Sequence, residues 1–255
     1  MIDQFLYQDE SQMVKVDLVI ARYNENLSWL HTMLLFSNPF HKIYVYNKGE
    51  AFETFDVVNF SKDPSISIER LPNVGKCDHT FLHHIVARYD AIAVDVAVDN
   101  HVTIFLPASC DMGGKLNRML RTIKDSFENK MSVFYCDKSV LVPADIADFS
   151  LDSYISTHAE NVAKNPESEL QLCNERPYSV WFEKNFGDLC VNGTTYNGIF
   201  AVSREHIHHQ SREFYEGLLG YVDHSSNPEA GHYIERSWMA IFHPIPEACK
   251  FSYTM

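Results

Sequence analysis

In the stretch Leu71-Pro-Asn-Val-Gly-Lys-Cys-Asp-His-Thr-Phe-Leu-His-His-Ile-Val-Ala-Arg-Tyr-Asp90, polar and special-backbone residues stand directly against the start of an amphipathic helix. Asn73 and Gly75 tolerate left-handed backbone angles, Asp78 reads as an N-cap, and Phe81, Leu82, Ile85, Val86 and Tyr89 recur at helical spacing. Backbone N–H groups and the helix dipole at such a terminus favour an anion, and Lys76 adds a cation to the same loop. A loop that only caps a core helix fits this local pattern equally well. His79 rides on the first turn; His83 and His84 read instead as helix-surface or packed histidines.

A second constellation lies in Gly231-His-Tyr-Ile-Glu-Arg-Ser-Trp238. His232 and Glu235 are spaced i, i+3, and His232 and Arg236 i, i+4, so the three share one helix face. Such a face can supply a general base. Glu235 is the better candidate, because a carboxylate in a cleft can have its pKa raised toward neutrality. An ordinary Glu/Arg surface pair is the competing reading. Asn47 and Lys48 place a further cation at the end of an expected strand, where it either meets a phosphate or stands in a solvated turn.

The elements that must position these groups alternate along the first half. Strands are expected at 14–21, 42–46, 65–70 and 102–106, and helices from 27 or 28 to 35, after Asp78, and from 115 to 127. This repetition of strand, loop and helix is the signature of an α/β domain with a largely parallel sheet. Ligands of such sheets collect at the carboxyl ends of the strands, so the loops to search are 22–26, 47–50, 72–79 and 107–114. The second half reads as strands at 131–135 and 196–204 and helices over 205–219 and 229–242. A polar insert at 143–177 either packs on the domain or covers the site. Nothing marks a second domain, so residues 1–255 are expected to form one.

With 255 residues, 45% of them hydrophobic, the chain is long enough to bury a substantial core. A formal net charge of -13, from 21 Lys plus Arg against 34 Asp plus Glu, argues against a nucleic-acid binder. The six cysteines are scattered without CxxC or finger spacing, which points to free thiols in a reducing compartment. The first ten residues carry neither a basic nor an apolar leader region, and no long apolar run follows, so the expected location is cytoplasmic with no transmembrane segment.

The blocks Ala21-Arg-Tyr-Asn-Glu-Asn-Leu-Ser-Trp-Leu30, Tyr46-Asn-Lys-Gly49, 71–90, Val102-Thr-Ile-Phe-Leu106, Asn197-Gly-Ile-Phe-Ala-Val-Ser-Arg204 and 231–238 occur in an order that resembles the domain-of-unknown-function 3431 family. The resemblance runs from about residue 14 to about residue 243. That family in turn looks like glycosyltransferases of the GT-A type. This implies a GT-A-like, Rossmann-like, mostly parallel sheet flanked by helices, a UDP- or GDP-sugar donor, and a glycan, glycoprotein or small acceptor.

The resemblance also implies roles for individual residues. Arg22, Tyr23, Asn24 and Glu25 would hold base and ribose, Tyr23 by stacking, although a plain helix-capping turn with Trp29 as core competes. Asn47, Lys48, Asn73, Gly75, Lys76, His79 and Ser109 would hold the remainder of the donor, His79 bonding a phosphate or a sugar hydroxyl. Asn197, Gly198 and Trp238 would meet the acceptor, Trp238 as a platform or else as core. Glu235 with His232 and Arg236 would be the catalytic set, a visible base favouring inversion at the anomeric centre.

GT-A enzymes present an Asp-x-Asp sequence after the strand at 102–106, whose carboxylates hold Mn2+ or Mg2+ on the diphosphate. Here the loop reads Pro107-Ala-Ser-Cys-Asp-Met112, with Asp111 and Ser109 the nearest approximation and the paired carboxylate missing. Lys76, Lys48 or Arg22 would then offset the leaving-group charge. The expected activity is sugar transfer from a nucleoside-diphosphate donor to a hydroxyl. Two other readings stand beside it. One is a carbohydrate- or nucleotide-sugar-binding module that lost catalysis; the other is a metal-dependent hydrolase using His79, His83, His84 and His232, for which HExxH spacing is missing.

Overall fold

The first strand places Val16, Leu18 and Ile20 on one side and Asp17, Val19 and Ala21 on the other, and both sides are buried. This is the pattern of a central parallel strand covered on both faces. The computed structural model describes residues 15–35, 38–51, 63–94, 101–136, 143–154 and 169–252. The expectations for residues 1–14 and for 155–168 of the polar insert lie outside the described residues.

Five strands form the main sheet: β1 (Lys15–Arg22), β2 (Lys42–Asn47), β3 (Ile66–Arg70), β4 (His101–Pro107) and β6 (Phe200–Ser203), in the order β3-β2-β1-β4-β6. The first four are parallel, and β6 runs antiparallel to β4 with Phe105 opposite Phe200. A small parallel pair joins β5 (Phe134–Cys136) to β7 (Lys250–Ser252). Together with the helices this makes one α/β domain of Rossmann-like architecture.

Helices α1 (Ser28–Leu34) and α3 (Lys115–Asn129) cover the face that carries Leu18, Ile20, Ile43 and Ile104, through Leu30 and Met119 among others. The opposite face carries Val19, Tyr46, Phe105 and Phe200. It is covered by α2 (Lys76–Val94), α4 (Tyr178–Phe186), α6 (Arg212–Leu219) and α7 (Glu229–Ile241). Phe81 and Trp238, both fully buried, meet over this face with ring centroids 6.1 Å apart. Burial of each is worth about 2–3 kcal/mol, which makes the α2–α7 contact a main tie of the fold.

Several local expectations are corrected. Asp78 is not an N-cap: α2 begins at Lys76, because Gly75 and Lys76 turn the chain with φ of 57° and 50° and leave Asp78 inside the first turn. The helix expected at 205–219 is two, α5 (Arg204–Ile207) and α6, each started by a serine. The side chains of Ser203 and Ser211 accept hydrogen bonds from His206 N and Phe214 N. The strand expected at 196–204 shortens to β6, since Asn197 and Gly198 take φ of 70° and 60°. Helix α4 and strand β7 were not foreseen. Among the described residues no helix is long and apolar enough to cross a membrane, and all six cysteines are free.

Candidate functional site

The carboxyl ends of β1 to β4 and the amino end of β6 share one edge of the main sheet. β1 lies between β2 and β4, so the connections leave it in opposite directions and open a crevice at that edge. The 71–79 loop enters the crevice as a fixed turn. Gly75 N donates to Ser225 O at 2.7 Å, and a Cβ on Gly75 would stand 2.3 Å from Val222 O, so only glycine fits.

A buried lysine, Lys48, and a half-buried one, Lys76, lie at the start of α2. Lys48 Nζ donates to Val74 O at 2.6 Å and also to Lys76 O, leaving one of its three N–H groups for a ligand. Burial pulls its pKa down to about 7 against the opposing pull of Cys77 and Asp78. Lys76 Nζ lies 3.1 Å from His232 Nε2 and 3.8 Å above the Tyr154 ring. Burial lowers its pKa to about 8. His79 is driven to about 3, first by burial and then by Lys48, so its ring is neutral. Its Nδ1 is buried with no hydrogen-bond partner among the described residues.

Helix α7 faces this terminus. The Trp238 indole donates to Asp78 Oδ1 at 3.1 Å, and Glu235 Oε1 accepts from Asn197 N at 2.9 Å while Oε2 lies 3.5 Å from Arg236 Nη1. Burial, followed by the nearby Glu235 charge, raises the Asp78 pKa to about 8, so this carboxyl keeps its proton near neutrality. His232 is held neutral, its pKa lowered to about 3 by burial and by Lys76. Arg236 stacks on Phe149 with its guanidinium carbon 4.0 Å from the ring centroid.

Glu229, fully buried at the start of α7, fastens the described parts of the insert. Its carboxylate accepts from Leu151 N at 2.8 Å, Cys173 N at 2.9 Å and Tyr233 OH at 2.8 Å, and pairs with Arg176 Nε at 3.2 Å. This clamp sets the segment carrying Tyr154, whose ring centroid lies 4.4 Å from that of His232.

Lys48, Gly75, Lys76, His79, Asn197, His232, Glu235 and Arg236 are thus brought to one region. Asn73 lies half-buried in the same loop. Gly198 sits beside it with φ of 60°, and a Cβ there would be 3.1 Å from Cys77 Sγ. Arg22, Tyr23, Asn24, Glu25 and Asn47 form a neighbouring loop that bonds largely to itself. Arg22 Nη1 donates to Asn47 Oδ1 at 2.7 Å and Glu50 O at 3.0 Å, Tyr23 N donates to Glu25 Oε2 at 2.7 Å, and Asn24 Oδ1 accepts from Glu50 N at 2.8 Å. Arg22 therefore braces the ends of β1 and β2.

Trp238 is corrected as an acceptor platform: its side chain is fully buried in the α2–α7 contact. Ser109 is buried and accepts from Lys115 Nζ at 3.3 Å, whereas Asp111 stands exposed. Among the described residues Asp111 belongs to no cluster of three metal-binding side chains. One exposed carboxylate does not fit the two-carboxylate grip of a bridging cation. His83 leans on Glu69 at 3.3 Å and His84 on Tyr46 OH at 3.0 Å, so the four histidines of the hydrolase reading do not converge. Residues not foreseen in the site are Tyr154, Glu229 and Asp78 in its buried, protonated form. An acidic residue just after Pro228 was the one local signal for Glu229.

The fold and this edge define a Rossmann-like α/β protein in which a lysine-bearing helix terminus faces a helix that carries His232, Glu235 and Arg236. A family model described as Protein of unknown function (DUF3431) matches residues 18–254, and the chain belongs to that family. No curated protein matches the chain.

Proposed function

We propose that the chain is a glycosyltransferase that moves a sugar from a nucleoside diphosphate to an acceptor hydroxyl, acting in the cytoplasm on a glycan or other acceptor. The observation that carries this reading is the pair of lysines at the N-terminus of α2, Lys48 buried and Lys76 half-buried. Burial lowers the pKa of both amines, and an anion bound beside them at the α2 N-terminus would favour their charged forms. A donor diphosphate fits that demand. The unpaired His79 Nδ1 supplies a further polar contact.

In the reaction the acceptor oxygen forms a bond to the anomeric carbon as the bond from that carbon to the diphosphate oxygen breaks. The electron pair leaves with the nucleoside diphosphate, whose growing charge Lys48, Lys76 and the α2 dipole offset. Glu235, aimed by Asn197 N and Arg236, takes the acceptor proton. Inversion follows from a base acting on the acceptor face.

Calorimetry and donor hydrolysis with a panel of UDP- and GDP-sugars test the reading. Binding of at least one donor, with slow hydrolysis, is expected; no binding of any would sink it. The lone exposed Asp111 favours one second reading, a nucleotide-sugar-binding module of the same fold without turnover.

A further inference from the structure

At the opposite edge of the main sheet, three consecutive strands bring together a second set of side chains. Asp17 lies near the start of β1, His101 opens β4, and His41 immediately precedes β2, the two strands that flank β1 on either side. The Asp17 side chain is only 7% exposed. Its Oδ1 stands 3.0 Å from His41 Nδ1 and its Oδ2 3.0 Å from His101 Nε2, and the three ligand atoms lie within 4.8 Å of one another. We propose that Asp17, His41 and His101 form a site for a zinc-class divalent transition ion.

His41 Nδ1 is hydrogen-bonded to Asp17 Oδ1 at 3.0 Å, so the second histidine decides between a hydrogen-bonded triad and a metal site. His101 Nε2 is buried and close to Asp17 Oδ2, yet it makes no hydrogen bond of acceptable geometry. A ring nitrogen close to a carboxylate but not aimed at it is what ligation of a shared centre requires. Ligand atoms around a tetrahedral ion at about 2.0–2.2 Å are separated by about 3.4 Å, a spacing these three reach with small side-chain adjustments. Two imidazoles and one carboxylate suit Zn2+, Co2+ or Ni2+, whereas Mg2+ and Ca2+ prefer oxygen donors throughout. The His41 side chain is 41% exposed, which opens the fourth position to water.

The site is separate from the crevice at the carboxyl edge, and its role is to tie the entrances of three neighbouring strands. A ligand that binds only the folded chain raises its stability by mass action. Co2+ titrated into the untagged, chelator-stripped full chain is expected to give visible d–d bands that saturate at one ion per chain and vanish on adding Zn2+. Zn2+ should raise the thermal midpoint by about 5 °C.

His41→Ala, at a partly exposed position, is the variant that should fold normally, as circular dichroism will show. With His101→Ala it should weaken Co2+ binding beyond the roughly 10–100-fold typical of losing a supporting partner. Asp17→Asn keeps the volume and should weaken binding similarly. Wild-type protein that gives no Co2+ bands, or bands shared by folded His41→Ala, would overturn the proposal. UDP binding unchanged by the chelator would leave the transferase reading standing in either case.

Discussion

The Trp238 indole N–H points at Asp78 Oδ1 from 3.1 Å, linking α7 to the first turn of α2 between residues 160 positions apart. Both partners are buried. Trp238→Phe keeps most of the packing but leaves the acceptor without its donor. We expect a loss of about 1–3 kcal/mol, read from urea unfolding.

The proton on Asp78 gives a pH signature. Its folded pKa is raised from 3.8 to about 8, so its contribution to stability is fully present at low pH and is lost as pH rises through that window. Buried histidines such as His79 and His232 act in the opposite sense between about 3 and 6.5. The clean measurement is therefore a difference: wild-type stability minus that of Asp78→Asn should fall as pH climbs from 4 to 8. A flat difference would show that Asp78 is ionised throughout.

Lys48 and Lys76 are expected to make anion binding pH-dependent. Their folded pKa values of about 7 and about 8 mean that both lose charge as pH rises through that range, below the pH at which the uracil ring of UDP gives up its own proton. UDP affinity should drop roughly tenfold between about pH 7 and about pH 8.5 by calorimetry. Lys76→Met should remove the part of that slope above about pH 8 and leave the part that belongs to Lys48.

Glu235→Gln separates transferase from binder. The amide oxygen can still accept from Asn197 N, so the fold and donor affinity should be retained. Turnover should fall by about 100-fold or more, the scale of a lost general base. Unchanged turnover would remove Glu235 from the chemistry.

Glu229→Ala strips four partners of a fully buried carboxylate and leaves Arg176 without its charge partner there. The expected cost is about 3–5 kcal/mol in urea unfolding. Glu229→Gln should cost less, because the amide oxygen can still accept.

How far the sequence revealed this arrangement depended on the range of the interaction. The strands β1, β2 and β4 announced themselves by branched residues in short runs, and Gly75 marked a turn that only glycine can make. The face shared by His232, Glu235 and Arg236 followed from helical spacing. Asp78 was visible as a capping type but not as a buried acid, because that role depends on Trp238 in a distant helix. The Asp17, His41 and His101 cluster left no local spacing to read, since strand pairing alone brings its members together. Glu229 and Tyr154 meet the site through segments whose polar composition suggested only a loop.

The separation of Asp78 and Trp238 also orders events during biosynthesis. At about 5–20 residues per second, the 160 residues between them take about 8–32 s to emerge from the ribosome. During that interval β4 and the segment around Tyr154 follow β1 to β3 and the lysine-flanked turn, while α7, with Glu235 and the Glu229 that fastens that segment, has yet to be made. The cradle for the anion is thus translated before the base that would act beside it, and a chain halted before residue 229 would carry the first without the second.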